Sequence, residues 1–452
     1  MNMIQGKFRA ALLMGAVASV LAFAAGAKAQ APSASNNTWP YATTGKSPVL
    51  AVVGDIACQP GATEVGEASK ETCTTPSTSK GAYTSASLYQ SQEATATQIE
   101  NMKPDAVALL GDLQYQVGLY SDFENSFDLT YGAFKFLERP SPGNHEFYDE
   151  HSATGVAGYG YFSYFNGFLI DTTNDANEGT PLTTTITDPC PPSLATACNY
   201  PGLTTPTPQP TPRADGQAGH FESQTGVADG WYSYNLGSWH LISLNVECST
   251  QPGGCSDTGS WFGAELEWLK KDLEENHSSC TAAYWHQPTF SAADSLAPEG
   301  TAAQAFWQLL YKHKADLVLN GHDHLYARYK PLDPSGNPDS ERGIREFIVG
   351  TGGETLDAVA LSTTGDAGAQ FNAANLEAYT GDYWGVMALR LDPNGYKWDF
   401  ESAPLASPTV ALNGPTSPAA VAGVYSDKGF GFCHNSPDRD RHDHDDDHDH
   451  DH

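Results

Sequence analysis

Residues 106–115 read Ala106-Val107-Ala108-Leu109-Leu110-Gly111-Asp112-Leu113-Gln114-Tyr115. The first five are all apolar, the signature of a short strand buried on both faces. Gly111 ends that strand, so Asp112 and Tyr115 are expected on the loop beyond its carboxyl end, where open α/β sheets place their ligand sites. A carboxylate there can bridge two metal ions, and a tyrosine three residues on can ligate one of them. Gly-Asp after a strand is common and a tyrosine more often packs than ligates. The stretch therefore gains meaning only if similar residues recur at other strand ends.

They do. Upstream, Pro48 to Val53 is a second apolar run, followed by Gly54-Asp55-Ile56-Ala57. Between the two runs, Gln92 to Met102 is rich in helix formers, with Ser91 as its expected N-cap and Pro104 beyond its end. Strand, helix and strand make a βαβ unit with a right-handed crossover. Downstream, Phe134 to Glu138 reads as a third strand, leading through Pro140-Ser141-Pro142 to Gly143-Asn144-His145-Glu146. Ala282 to Trp285 is a short strand reaching His286, and Ala315 to Leu319 another, reaching Asn320-Gly321-His322-Asp323-His324. Phe347-Ile348-Val349 runs into Gly350-Thr351-Gly352-Gly353.

The remaining periodicities fill in the architecture. Trp231–Asn235 with His240–Asn245, and Val386–Leu391 with Tyr396–Phe400, alternate around turns and predict hairpins. Glu265–Glu275 and Ala302–His313 are amphipathic helices, and the aromatic-rich stretch Tyr159–Phe165 is expected to pack. A βαβ start and a hairpin-rich end together predict an α/β fold of two mixed β-sheets packed as a sandwich flanked by helices.

The chain has 452 residues, with 54 acidic and 23 basic side chains and a net charge of −31. That balance argues against nucleic acid as a partner, because phosphate backbones need a basic surface. It would also repel a phosphate substrate unless bound metal supplied local positive charge. Lys7 and Arg9 precede the apolar run Ala10 to Ala25, and Ala27-Lys28-Ala29 offers small residues at the cleavage positions. Residues 1–29 are therefore expected to be a secretory signal peptide, cleaved after Ala29, leaving no membrane segment in a secreted or periplasmic protein. Residues 30–46 read as a flexible lead-in, 47–433 as the folded unit and 171–213 as a Thr/Pro-rich surface excursion. The stretch 434–452, with its alternating His and Asp, reads as a tail unable to join a core. The tail's composition could bind divalent metal weakly. Eight cysteines fit an oxidising compartment. Proximity suggests Cys58 with Cys73, Cys190 with Cys198 and Cys248 with Cys255, leaving Cys280 with Cys433. A cysteine-ligated metal would need Cys-x-x-Cys spacing, which the chain lacks.

Collected, the strand-end residues are Asp55, Asp112, Tyr115, Asn144, His145, His286, His322 and His324. Singly, each histidine is more often a hydrogen-bonded core residue than a ligand. Together they suit two ions, carboxylate and phenolate favouring a hard one and imidazoles a softer one. The ordered motifs Gly-Asp-x-x-Tyr, Gly-Asn-His-Glu, x-x-x-His and Gly-His-x-His resemble the calcineurin-like metallophosphoesterases. Within them, the tyrosine points to the purple acid phosphatases. The resemblance covers roughly Val49 to Cys433. It implies a four-layer α/β/β/α fold and a secreted phosphatase that hydrolyses small phosphomonoesters with a metal-activated water. It further implies a ferric ion (Fe3+) held by Asp55, Asp112, Tyr115 and His324. A divalent ion (Zn2+, Fe2+ or Mn2+) would be held by Asp112, Asn144, His286 and His322. His145 would touch the phosphate or protonate the leaving group. The chain departs from the family in having Ala57 where a second glycine is usual. It also lacks histidines between Gln287 and Leu296, and its short N-terminus is expected to leave no room for the extra β-domain of the larger plant enzymes. A phosphodiesterase on the same scaffold is the nearest alternative, and a non-enzymatic metal- or phosphate-binding protein a third. The oligomeric state is left open by the sequence.

Overall fold

The computed structural model describes residues 47–60, 72–73, 88–148, 158–166, 169–170, 181–182, 218, 221–222, 227–251, 253–291, 293, 300–359, 373–404 and 424–436. The expectations for the signal peptide, the lead-in, most of the 171–213 excursion, the tail beyond residue 436 and the Cys190–Cys198 pair lie outside these residues.

Two mixed sheets carry the fold. The six-stranded sheet has the spatial order β13 (Ser426–Phe432), β12 (Gly395–Ser402), β11 (Gly385–Asp392), β1 (Val49–Val53), β2 (Ala106–Leu110), β3 (Glu138–Ser141). Its last three strands run parallel and the others antiparallel. The seven-stranded sheet has the order β4 (Tyr232–Leu236), β5 (Trp239–Ser243), β6 (Cys280–Trp285), β7 (Leu317–Asn320), β9 (Arg345–Val349), β8 (Tyr326–Tyr329), β10 (Leu376–Thr380). Here β5, β6, β7 and β9 are the parallel run.

The apolar strands alternate between two cores. Leu50 and Val52 of β1, Ala108 and Leu110 of β2, Tyr284 of β6 and Leu319 of β7 meet in one buried cluster between the sheets. The intervening Ala51, Val53, Val107 and Leu109 face outward, onto Ala96 and Ile99 of helix α1 (Leu88–Met102) and a knot of aromatic rings. On the far side, Ala283, Trp285 and Val318 pack against Leu269 of α3 (Trp261–Glu275) and Trp307 of α4 (Gly300–Lys312). The layers therefore run helix, sheet, sheet, helix. Strands covered on both faces need continuous apolar sequence, which is why they were readable as runs.

Two details differ from the sequence reading. Tyr131–Leu137 is two short 3-10 turns joined at a kink at Phe134 (φ −125°, ψ 22°), and the third strand begins only at Glu138. Tyr131, Phe134 and Leu137 are the buried residues of these turns. Ser91 is no N-cap: it lies inside α1, and its hydroxyl donates to the Gly353 carbonyl (2.7 Å). Tyr159–Asn166 is helical, α2, and Tyr161, Phe162 and Phe165 of its rings are buried. Both predicted hairpins form, as β4–β5 and β11–β12. Disulfides join Cys248 to Cys255 and Cys280 to Cys433, and Cys58 is also disulfide-bonded. The packed chain runs on to Ser436, and the His434 N–H donates to Asp316 (2.6 Å).

Candidate metal centre

Every parallel strand near the middle of the two sheets delivers a residue to one place. Asp55 follows β1, Asp112 follows β2, Asn144 and His145 follow β3, His286 follows β6, and His322 and His324 follow β7. The loops after β1 and β2 run side by side. The N–H groups of Asp55, Ile56 and Ala57 donate to the carbonyls of Gly111, Asp112 and Leu113, and Tyr115 N–H donates back to Ala57. Gly352 and Glu354, in the glycine loop after β9, donate to Gly54 and Asp55.

Of the five described non-glycine residues with positive φ, three are Asp55 (60°), Asp112 (49°) and His322 (68°). This left-handed conformation is uncommon outside glycine and clusters at functional sites. Gly143 is required by close approach, because a Cβ there would sit 2.3 Å from Asp112 Oδ1.

Seven of the eight residues form two groups that share one atom. In the first, the Tyr115 hydroxyl lies 3.1 Å from Asp55 Oδ1, 3.2 Å from Asp112 Oδ2 and 3.0 Å from His324 Nε2. In the second, His286 Nε2 lies 2.9 Å from the same Asp112 Oδ2 and 3.1 Å from Asn144 Oδ1. His322 Nδ1 lies 3.1 Å from Asn144 Oδ1 and 3.3 Å from His286 Nε2. Asp112, His286 and His322 offer ligand atoms within 4.8 Å of one another. His145 sits to one side, 17% exposed, its Nε2 3.9 Å from Asp112 Oδ2 and its Nδ1 2.6 Å from the Gln116 carbonyl.

The donor chemistry fits two cations. His286 Nδ1 donates to the Leu110 carbonyl (2.8 Å) and His324 Nδ1 to the Thr355 carbonyl (2.7 Å). Both rings are thus tautomerically fixed with Nε2 facing inward, the usual support of a ligating histidine. Carboxylate, amide oxygen, phenol and imidazole nitrogens converge about 3 Å apart, a spacing that an ion with bonds of about 2.1 Å can span. Burial alone would lower the His286 imidazole, but the Asp112 charge outweighs it and pushes it up to about 10. Burial would raise the Asp112 carboxyl, yet His286 and His145 hold it well below the ordinary range. His324 is raised too, burial being outweighed by its hydrogen bond with Asp55. His322 is pushed down to about 3 by burial and by His286, and its buried Nε2 has no hydrogen-bond partner. A neutral imidazole can turn an unprotonated nitrogen to a metal ion, and in His322 the nitrogen that faces the other donors is Nδ1.

Sequence reasoning missed three supporting residues. Glu146 was read as part of a motif, but its buried carboxylate accepts N–H bonds from Asp112, Leu113, Gln114 and Gly143 (2.7–3.2 Å). Asp357 accepts the N–H of His324 (3.1 Å). The Tyr148 hydroxyl lies 2.9 Å from Asn144 Nδ2. Two spacings were local signals: Asn144–Tyr148, four residues or about one helical turn, and Gly143–Glu146, the three-residue spacing of a capping box.

Residues 49–326 match the family model described as calcineurin-like phosphoesterase. Purple acid phosphatase 15 of Arabidopsis thaliana is 32% identical over 115 residues, covering 24% of this chain and 20% of that protein. An acid phosphatase of Aspergillus ficuum is 27% identical over 154 residues, 25% of this chain and 24% of that protein. The chain thus spans about a fifth to a quarter of the length of these curated relatives. A purple acid phosphatase from yellow lupin (Lupinus luteus) seeds superposes with a TM-score of 0.46 at 15% identity, over 86% of this chain and 55% of that one.

Proposed function

The chain belongs to the calcineurin-like phosphoesterase family, and on that premise we propose that it is an exported phosphomonoesterase with a binuclear metal centre. The observation that carries this reading is the meeting of two donor groups at Asp112 Oδ2. Asp55, Tyr115 and His324 would complete the site for a hard ion, iron by its phenolate, and Asn144, His286 and His322 the site for a divalent ion. When bound, the pair of cations supplies the positive charge and Lewis acidity that attack of water on a phosphate ester needs. The donor set contains no lysine or arginine, so on so acidic a chain that charge has no other source within the set.

The chain's own residues do the rest. Asp112 is kept ionised between its histidines and presents one oxygen to both groups. Its other oxygen accepts the His145 N–H (2.9 Å), which holds the His145 backbone against the centre. With Nδ1–H turned to the Gln116 carbonyl, His145 Nε2 faces the centre, and in the imidazolium form it can give its Nε2 proton to the leaving oxygen as the P–O bond breaks, the ring ending neutral with Nδ1–H kept. Export is supported by the leader-like sequence of residues 1–29 and by the disulfides.

The test is metal analysis of the purified protein beside a turnover panel of small phosphomonoesters and phosphodiesters. The expected result is two ions per chain, one of them iron, and faster turnover of monoesters. Faster turnover of diesters would overturn the monoester assignment, and a fully loaded protein inert on both would overturn the enzymatic one.

A further inference from the structure

Asn144 has a side chain that cannot orient itself. Its terminal torsion is a broad sp³–sp² rotation, so the amide plane is free until hydrogen bonds fix it. On the inner side Asn144 Oδ1 faces His286 Nε2 and His322 Nδ1 and accepts a 3.4 Å contact from Gln287 Nε2. On the outer side Asn144 Nδ2 donates to the Tyr148 hydroxyl at 2.9 Å. Tyr148 also sets its ring edge-on to His145, with centroids 4.9 Å apart. It is 47% exposed, one of three large hydrophobic side chains that are exposed among the described residues, and this one touches two residues of the centre.

From this geometry we infer that Tyr148 is a positioning residue for the divalent ion, acting through Asn144, with its ring steadying His145. The inference rests on the binuclear reading above. The hydroxyl fixes the plane of the amide, and the hydrogen bond it accepts draws electron density toward Asn144 Oδ1, making that oxygen a better ligand. The hydroxyl bonds to Asn144 of the second donor group, while Asp55, Tyr115 and His324 meet one another at the Tyr115 hydroxyl, so loss of the Tyr148 hydroxyl is expected to act on the divalent ion first.

The test uses full-length protein, stripped of metal, reloaded with iron and titrated with Zn2+ against a competing chelator. Tyr148→Phe removes the hydroxyl and keeps the ring. It should weaken binding at one site by about tenfold or more, leave the visible band of the iron form unchanged, and regain wild-type kcat at saturating Zn2+. Tyr148→Ala should weaken Zn2+ to the same degree and keep a reduced kcat at saturation, because the support of His145 is gone. Thermal melts of both variants establish that they fold. Wild-type Zn2+ affinity in Tyr148→Phe would overturn the inference, as would equal weakening of iron and Zn2+. A wild type that takes up a single ion would instead bring down the binuclear reading itself.

Discussion

Asp55, Asp112 and His322 each hold a backbone conformation that costs a non-glycine residue about 1–3 kcal/mol. Something in the surroundings must hold them there, and at Asp112 that is Glu146. Four N–H groups converge on one buried carboxylate, drawn from the 112–114 loop and from Gly143. Glu146→Gln replaces one acceptor oxygen by an NH2 group facing donors. It should lower stability by about 1–3 kcal/mol and reduce metal content, read by denaturant melts and elemental analysis. Unchanged stability with full metal would show that the loop holds itself. Tyr115→Phe probes the other side of Asp112. Iron-loaded wild type should absorb visible light through its phenolate, and the variant should lose the band while keeping its fold. A variant that keeps its colour would remove Tyr115 from the ligand set. The residues that bring chemistry were legible because aspartate, tyrosine and histidine recur after apolar runs. Asp357 was not, because its partner lies 33 residues away, and Glu146 was only in part, because three of its four N–H partners lie 32–34 residues away and only Gly143, three residues before it, is local.

Among elements, those buried on both faces were the easiest to read. Strands β1, β2 and β7 are continuous apolar runs since each serves two cores. The short turns at Tyr131–Leu137 were misread because Phe134-Lys135-Phe136-Leu137 satisfies a strand's apolar content. Helix α3 begins at Ser260, whose hydroxyl accepts the Gly263 N–H, a cap worth about 1 kcal/mol. One turn further in, α3 buries Glu265, which accepts the Asn245 N–H at 2.7 Å. Burial, and then the charge of Asp229, raise its carboxyl well above 4.5 although that hydrogen bond lowers it. An acid whose folded pKa is raised opposes folding once the unfolded chain ionises. Wild-type stability is therefore expected to fall as pH rises from about 4.5 toward the folded value, and then to level off. Glu265→Gln keeps the acceptor oxygen and removes the titration. Its melting temperature should gain on wild type across that window, whereas parallel curves would mean the carboxyl is not held protonated.

Taken whole, the molecule stacks its two sheets face to face, and the centre sits at the carboxyl ends of both parallel runs. That the two sheets pack so was expected from the βαβ start and hairpin finish, but how they are tied was not. Cys280 opens β6 in the seven-stranded sheet, and Cys433 follows β13 at the free edge of the six-stranded one, 153 residues later. In the chain-entropy picture a loop of that length contributes about 5 kcal/mol. The double variant Cys280→Ser with Cys433→Ser should melt far earlier than wild type, and an equal melting temperature would show the bond to be incidental.

The same link bears on how the protein breathes. An outermost strand ordinarily frays by itself, and its amide protons exchange with solvent long before those of a sheet's interior. Here β13 is fastened at its last turn to an interior strand of the opposite layer, and His434 is bonded to Asp316 just before β7. Peeling β13 away must therefore also disturb β6 and β7. Its amides should exchange together with theirs, in one slow cooperative class, and separate into a fast class only on reduction.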